Sequence, residues 1–139
     1  MKKTVIVNAH VISPDVNIAK ATIVIEGKKI KSVSPSSKTK VPKADKDTTI
    51  VDVKGQYVMP GFIDVHTHGA LTYDFCDPDP KAIYEIAKAK LQEGVTSFLP
   101  TTLTVSNEEL KIAAKNAKAY VEDGEKYAKI PGIHLEGPF

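Results

Sequence analysis

From Tyr57 onward the apolar residues alternate between short extended runs and helical stripes, and this alternation restricts the fold more than any other feature of the chain. GFIDVHTHG (61–69) reads as a strand. Over 80–93, Ile83, Ile86, Ala87 and Leu91 recur at helical offsets, and Gly94 stands where a C-terminal cap belongs. VTSFLPTTLT reads as a second strand with its exit loop. Ser106 and Glu109 have capping-box spacing. They open a second helix whose Leu110, Ala113, Ala114, Ala117 and Val121 share a face, and Gly124 ends it. IPGIHLEG supplies a third strand. Strand and helix in strict alternation imply parallel strands joined by right-handed crossovers. The apolar strands suit a sheet covered on both faces.

Residues 1–56 have a different rhythm. TVIVNAHVI, ATIVIEG, KIKSVS and TTIVDVKG are short Val/Ile-rich runs separated by Pro, Asp, Asn, Ser or Gly. A hairpin is expected at Gly27–Lys28, and the lysine-rich stretch 35–48 reads as an exposed loop. Four such strands are too few to close a sandwich by themselves.

Composition narrows the function classes. No run approaches the ~20 apolar residues of a membrane span, and MKKTVIVNAHVIS reads as a first strand, not a secretory leader. The single cysteine, Cys76, allows no internal disulfide and fits a reducing, cytoplasmic setting. All basic residues other than histidine are lysines, so the usual bidentate phosphate clamp, arginine, is missing from these 139 residues. The lysines are scattered and form no aromatic-lined basic patch, which argues against nucleic acid. No Gly-rich phosphate loop of the P-loop or dinucleotide type occurs.

The chemistry concentrates at two strand exits. Strand alternation places Asp64, His66 and His68 on one face, with Ile63, Val65 and Thr67 on the face that meets helices. Two imidazoles on alternate positions can share one metal ion, and Asp64 can orient a ligand or serve structure alone. The plain alternative is a pair of polar residues at a strand exit. On the third strand, His134 and Glu136 again share a face. A buried, unpaired carboxylate is costly, so a metal partner accounts for Glu136, while His134 reads as a supporting hydrogen-bonding group more than as a ligand. Thr101, Thr102 and Thr104 close the second strand, where they could touch substrate but read as structural, as threonines at strand exits usually are; His10 reads as a surface or turn residue, and Cys76 as inert.

PGFIDVHTHG (60–69) resembles the first barrel strand of the amidohydrolase superfamily, and GVTSFLPTTLT with GIHLEGPF (132–139) is similar to its N-acetylglucosamine-6-phosphate deacetylase branch. The resemblance implies an α/β fold: part of a small β-sandwich domain (1–56), then the first three β/α units of a TIM-type (β/α)8 metal-dependent hydrolase barrel (57–139), incomplete in this chain. It implies that Glu136 is the metal-binding glutamate of the HLEGP motif. His66 and His68 match the pair that holds an additional ion in binuclear members. A divalent metal, zinc or iron, in one or two copies follows. The substrate would be an amino-sugar phosphate and the assembly a homo-oligomer, a dimer by family likeness, with no nucleic acid or membrane partner. The proton-shuttling aspartate, further histidine ligands and phosphate-binding groups belong to later strands, so no catalytic residue is assignable here and the chain alone is expected to be inactive. Competing readings are an N-acetylgalactosamine-6-phosphate or cyclic-amide hydrolase, and a non-catalytic fragment that binds metal or pairs with another chain.

Overall fold

A computed structural model describes residues 2–137; Pro138 and Phe139 of the HLEGPF motif lie outside them. The chain is a sheet-rich mixture of α and β, divided into two compact units, Met1–Pro60 and Gly61–Phe139.

The first unit holds β1 (Lys3–Ser13), β2 (Val16–Glu26), β3 (Lys29–Pro35), β4 (Thr48–Asp52) and β5 (Tyr57–Val58). Neighbours run in the order β3-β2-β1-β4, with β5 also paired to β1. The β2–β3 hairpin turns at Gly27–Lys28, where Gly27 takes φ +61°. A positive φ at the first turn residue matches the twist of the flanking strands and is least costly for glycine. β1 pairs antiparallel with β2 but parallel with β4 and β5. Local patterning does not reveal those parallel partners, and Tyr57 and Val58, read above as the start of the second segment, belong to this sheet. Ala9, Val11, Ala21 and Ile23 form the buried cluster. The 35–48 stretch carries one 3-10 turn, Ser36–Lys38, and then runs irregularly to β4.

The second unit begins with β6 (Phe62–Thr67), followed by the two-residue strands β7 (Gly69–Ala70) and β8 (Tyr73–Asp74). The helix α1 (Lys81–Gln92), the strand β9 (Val95–Pro100) and the helix α2 (Asn107–Glu122) complete it. β6 and β9 are parallel. The tight β7–β8 hairpin was not foreseen. It requires glycine at 69, because a Cβ there would lie 2.0 Å from the Tyr73 carbonyl oxygen. α2 starts as expected: the Ser106 hydroxyl accepts the Glu109 N–H, and the Glu109 carboxylate accepts the Ser106 N–H. α1 packs on β9 and α2 on α1, and Ile83, Ile86, Ala87, Phe98, Ala113, Ala117 and Tyr120 share one buried cluster. The expected faces are partly corrected. Leu91, Ala114 and Val121 are exposed, while Tyr120, whose hydroxyl donates to the Ala128 carbonyl and accepts the Tyr127 N–H, is fully buried.

The third strand is not continuous. It survives as two parallel bridges, Lys129 with Ser97 of β9 and His134 with Thr101 just past its end. Pro131, which lacks a donor, and Gly132 interrupt the ladder between them. Among the described residues no helix is long and apolar enough to cross a membrane.

Candidate metal centre

One irregularity in β6 builds the site. Asp64 pairs with Phe98 but Thr67 with Pro100, so β6 carries one more residue than β9 across this interval. Such a bulge breaks the two-residue alternation. The expected common face of Asp64, His66 and His68 is therefore split. Asp64 reaches Lys90 of α1 at 3.2 Å, and its Oδ1 accepts the His66 backbone N–H at 3.1 Å. Burial pulls the Lys90 ammonium down, but its bonds to the Asp64 and Glu93 carboxylates outweigh that and hold it above the ordinary lysine value. Asp64 thus braces the bulge and touches no imidazole ring nitrogen. The apolar side of β6 is corrected as well: Thr67 is buried, but Ile63 and Val65 are exposed.

From within and just beyond the bulge, His66 and His68 converge on Glu136. His66 Nε2 and His68 Nε2 lie 3.3 Å apart, and each lies close to one carboxylate oxygen of Glu136, at 3.2 and 3.0 Å. The sequence argument expected Glu136 to be buried. Its side chain is 52% exposed, since the segment leaves the sheet after the bridge at His134. Desolvation therefore does not explain the carboxylate; its partners do.

Two threonines at the exit of β9 hold these groups. His68 Nδ1 lies 3.2 Å from the Thr101 carbonyl oxygen. A carbonyl can only accept, so Nδ1 donates to it, and Nε2 is the ring atom turned to Glu136. A nitrogen lone pair facing a carboxylate oxygen at 3.0 Å is repulsive unless a proton or a cation lies between them. The Thr101 hydroxyl, fully buried, accepts the Thr67 N–H at 3.0 Å and donates to the Leu99 carbonyl at 3.2 Å. The Thr102 hydroxyl accepts the Glu136 N–H at 3.1 Å. Sequence reasoning had noted both threonines as structural without seeing that they suspend the cluster.

The spacing fits a metal ion. Ligands at the ~2.0–2.1 Å of zinc–nitrogen and zinc–oxygen bonds in a tetrahedral site stand roughly 3.3–3.4 Å from one another. The three observed separations, 3.0–3.3 Å, are close to that edge. Among the described residues, His66, His68 and Glu136 are the group of three able to hold an ion. His134 is outside that group; its ring lies edge-on to His66 with centroids 4.8 Å apart.

The other flagged residues lie elsewhere. His10 is on β1, with Nε2 2.9 Å from Asn17 Oδ1. Cys76 accepts the Leu103 N–H through its sulfur. Burial pushes its thiol above the ordinary cysteine value, and the nearby carboxylates of Asp74, Glu109 and Asp77 add to this. That leaves it without activation as a nucleophile.

Comparison with known proteins bears on the family and the fold. The profile of the amidohydrolase family matches residues 49–122. An N-acetylglucosamine-6-phosphate deacetylase of Bacillus subtilis (strain 168) is 36% identical over 114 residues, covering 80% of this chain and 28% of that protein. An N-acetylgalactosamine-6-phosphate deacetylase of Escherichia coli O157:H7 is 32% identical over 91 residues, covering 66% of this chain and 24% of that protein. The crystal structure of N-acetylglucosamine-6-phosphate deacetylase from Pasteurella multocida superposes with a TM-score of 0.83 at 28% identity, covering 99% of this chain and 35% of that one. The chain thus spans between about a quarter and a third of these proteins.

Proposed function

Because the chain belongs to the amidohydrolase family, we propose that it is the N-terminal portion of a metal-dependent N-acetylglucosamine-6-phosphate deacetylase, which releases acetate and leaves glucosamine 6-phosphate. The single observation that carries this reading is the convergence of His66 Nε2, His68 Nε2 and a Glu136 carboxylate oxygen, all within 4.8 Å of one another. In this reading residues 1–60 are part of a small β-sandwich domain. Residues 61–139 are the first three β/α units of a TIM-type barrel, whose strand exits carry the chemistry. The parallel β6–β9 pair and the bridged 129–134 segment support that arrangement.

His66, His68 and Glu136 would hold a divalent ion, zinc or iron, as suits mixed imidazole and carboxylate donors. Such an ion supplies Lewis acidity, polarising the acetamide carbonyl and acidifying water. The chain's own contribution is to present the donors. Thr101 keeps the proton on His68 Nδ1 through its carbonyl, and Thr102 anchors the backbone of Glu136. The resemblance places the proton-shuttling aspartate and the phosphate-binding groups on later strands. The assembly would be a cytoplasmic homo-oligomer. The 32% identity to an N-acetylgalactosamine-6-phosphate deacetylase supports the 4-epimer as a second substrate reading.

The test is metal retention. After exposure to zinc or iron(II) and exhaustive dialysis, the chain should keep at least one ion, and Glu136→Gln should keep none. It should not release acetate from either amino-sugar phosphate. A wild-type chain that retains no ion, or that deacetylates unaided at an enzyme-like rate, contradicts the proposal.

A further inference from the structure

The bulge that delivers His66 needs its own restraint, because Val65 and His66 fall out of the paired register between β6 and β9. His134 is placed to supply it. Its Nδ1 lies 3.2 Å from the Val65 carbonyl oxygen, a contact between residues 69 positions apart in sequence. As with His68, a carbonyl partner can only accept, so Nδ1 donates. The same ring stands edge-on to the His66 ring at an interplanar angle of 89°. One imidazole therefore grips the backbone immediately before His66 and packs against the His66 side chain.

We infer that His134 is a positioning residue that locks the β6 bulge and so fixes the direction of His66 Nε2 toward Glu136. The inference rests on the metal-site reading above but concerns a residue outside the ligand group. His134 enters β9's neighbourhood through backbone bonds of its own: its N–H donates to the Pro100 carbonyl and its carbonyl accepts the Thr102 N–H. The side chain is thus held on a backbone already bonded to β9 while it reaches over to β6. Three segments distant in sequence meet at this one residue, two of them through its backbone and the third through its ring, and removal of the ring frees the bulge without unmaking the bridge.

Two substitutions separate the hydrogen bond from the packing. His134→Asn keeps a side-chain N–H near the position of Nδ1. His134→Phe keeps an aromatic edge against His66 and loses the donor; His134→Leu stands in for it if the phenylalanine variant does not fold. Zinc affinity is read by competition with a chromophoric chelator, and ring order by long-range proton–nitrogen NMR of the metal-free imidazoles. Loss of a partner that orients a metal-binding group typically weakens affinity about 10–100-fold, and that loss is expected for His134→Phe. His134→Asn should stay within a few-fold of wild type. In the metal-free His134→Phe protein the His66 ring signals should broaden while those of His68, held by Thr101, stay sharp. Equal affinity in wild type and the phenylalanine variant overturns the inference, as does equal weakening by both substitutions. If the wild-type chain binds no zinc, the metal reading fails and the NMR arm decides alone: unchanged His66 signals in His134→Phe overturn the positioning role, and selective broadening sustains it.

Discussion

Replacing Thr101 by valine should destabilise the second unit more than replacing it by serine, although valine is the closer match in shape. The Thr101 side chain has no solvent exposure, and its hydroxyl is bonded on both sides, to the Thr67 N–H and the Leu99 carbonyl. Valine keeps the volume and removes both bonds. The Thr67 N–H, on a residue only 8% exposed, then keeps only its ladder acceptor on β9. Each lost hydrogen bond is worth about 0.5–1.5 kcal/mol, so about 2 kcal/mol is expected for the two. Serine keeps the hydroxyl and loses one methyl, worth about 0.8 kcal/mol of burial. With a urea slope of about 1–3 kcal/mol per molar, valine should lower the denaturation midpoint by about 1 M and serine by about half that. Hydrogen exchange at the Thr67 amide supplies a local readout, accelerating in the valine variant and not in the serine one. A valine variant as stable as the serine variant, or more so, refutes the claim that this hydroxyl is what ties β6 to β9 beneath the histidine pair.

Two further outcomes follow from ionisable groups. Bonds from the Ser106 hydroxyl and backbone N–H hold the Glu109 carboxyl below its ordinary value. Its contribution is therefore present above the unfolded carboxylate value, about 4.3, and is lost as pH falls through the lower folded value. Glu109→Gln should flatten the acid limb of an α2 helicity curve, and an unaltered limb counts against the capping role. Cys76, raised chiefly by burial, should react with iodoacetamide more slowly than a free thiol at pH 7.5 and gain rate only above the ordinary thiol range near ~8.5. Reaction faster than that of a small-molecule thiol at pH 7.5 refutes this.

Much of the local structure was legible in the sequence because its causes are local. The capping box at Ser106–Glu109, the glycine turn at 27 and the helical stripe of Ile83, Ile86 and Ala87 depend on residues a few positions apart. The candidate ligands were legible for a similar reason: His66 and His68 sit at a strand exit, and His134 and Glu136 at another. Alternation also suggested that Asp64 belonged with the histidines, and there it failed. A bulge is a property of two paired strands, and nothing within residues 61–69 announces that β6 carries an extra residue between Asp64 and Thr67.

The sequence by itself determined which residues could bind a cation and which elements would carry them. Residue chemistry and short-range periodicity are written in the chain order. Only the tertiary structure decided that β1 would take β4 and β5 as parallel partners, that Pro131 and Gly132 would reduce the third strand to two bridges, and that Asp64 would turn to Lys90. It also decided that Thr101, Thr102 and His134 would hold the cluster through contacts 33 to 69 residues apart in sequence. Register and hydrogen-bond partnership are set by what the neighbouring strand offers at each level, and that neighbour is known only once the chain has folded back on itself.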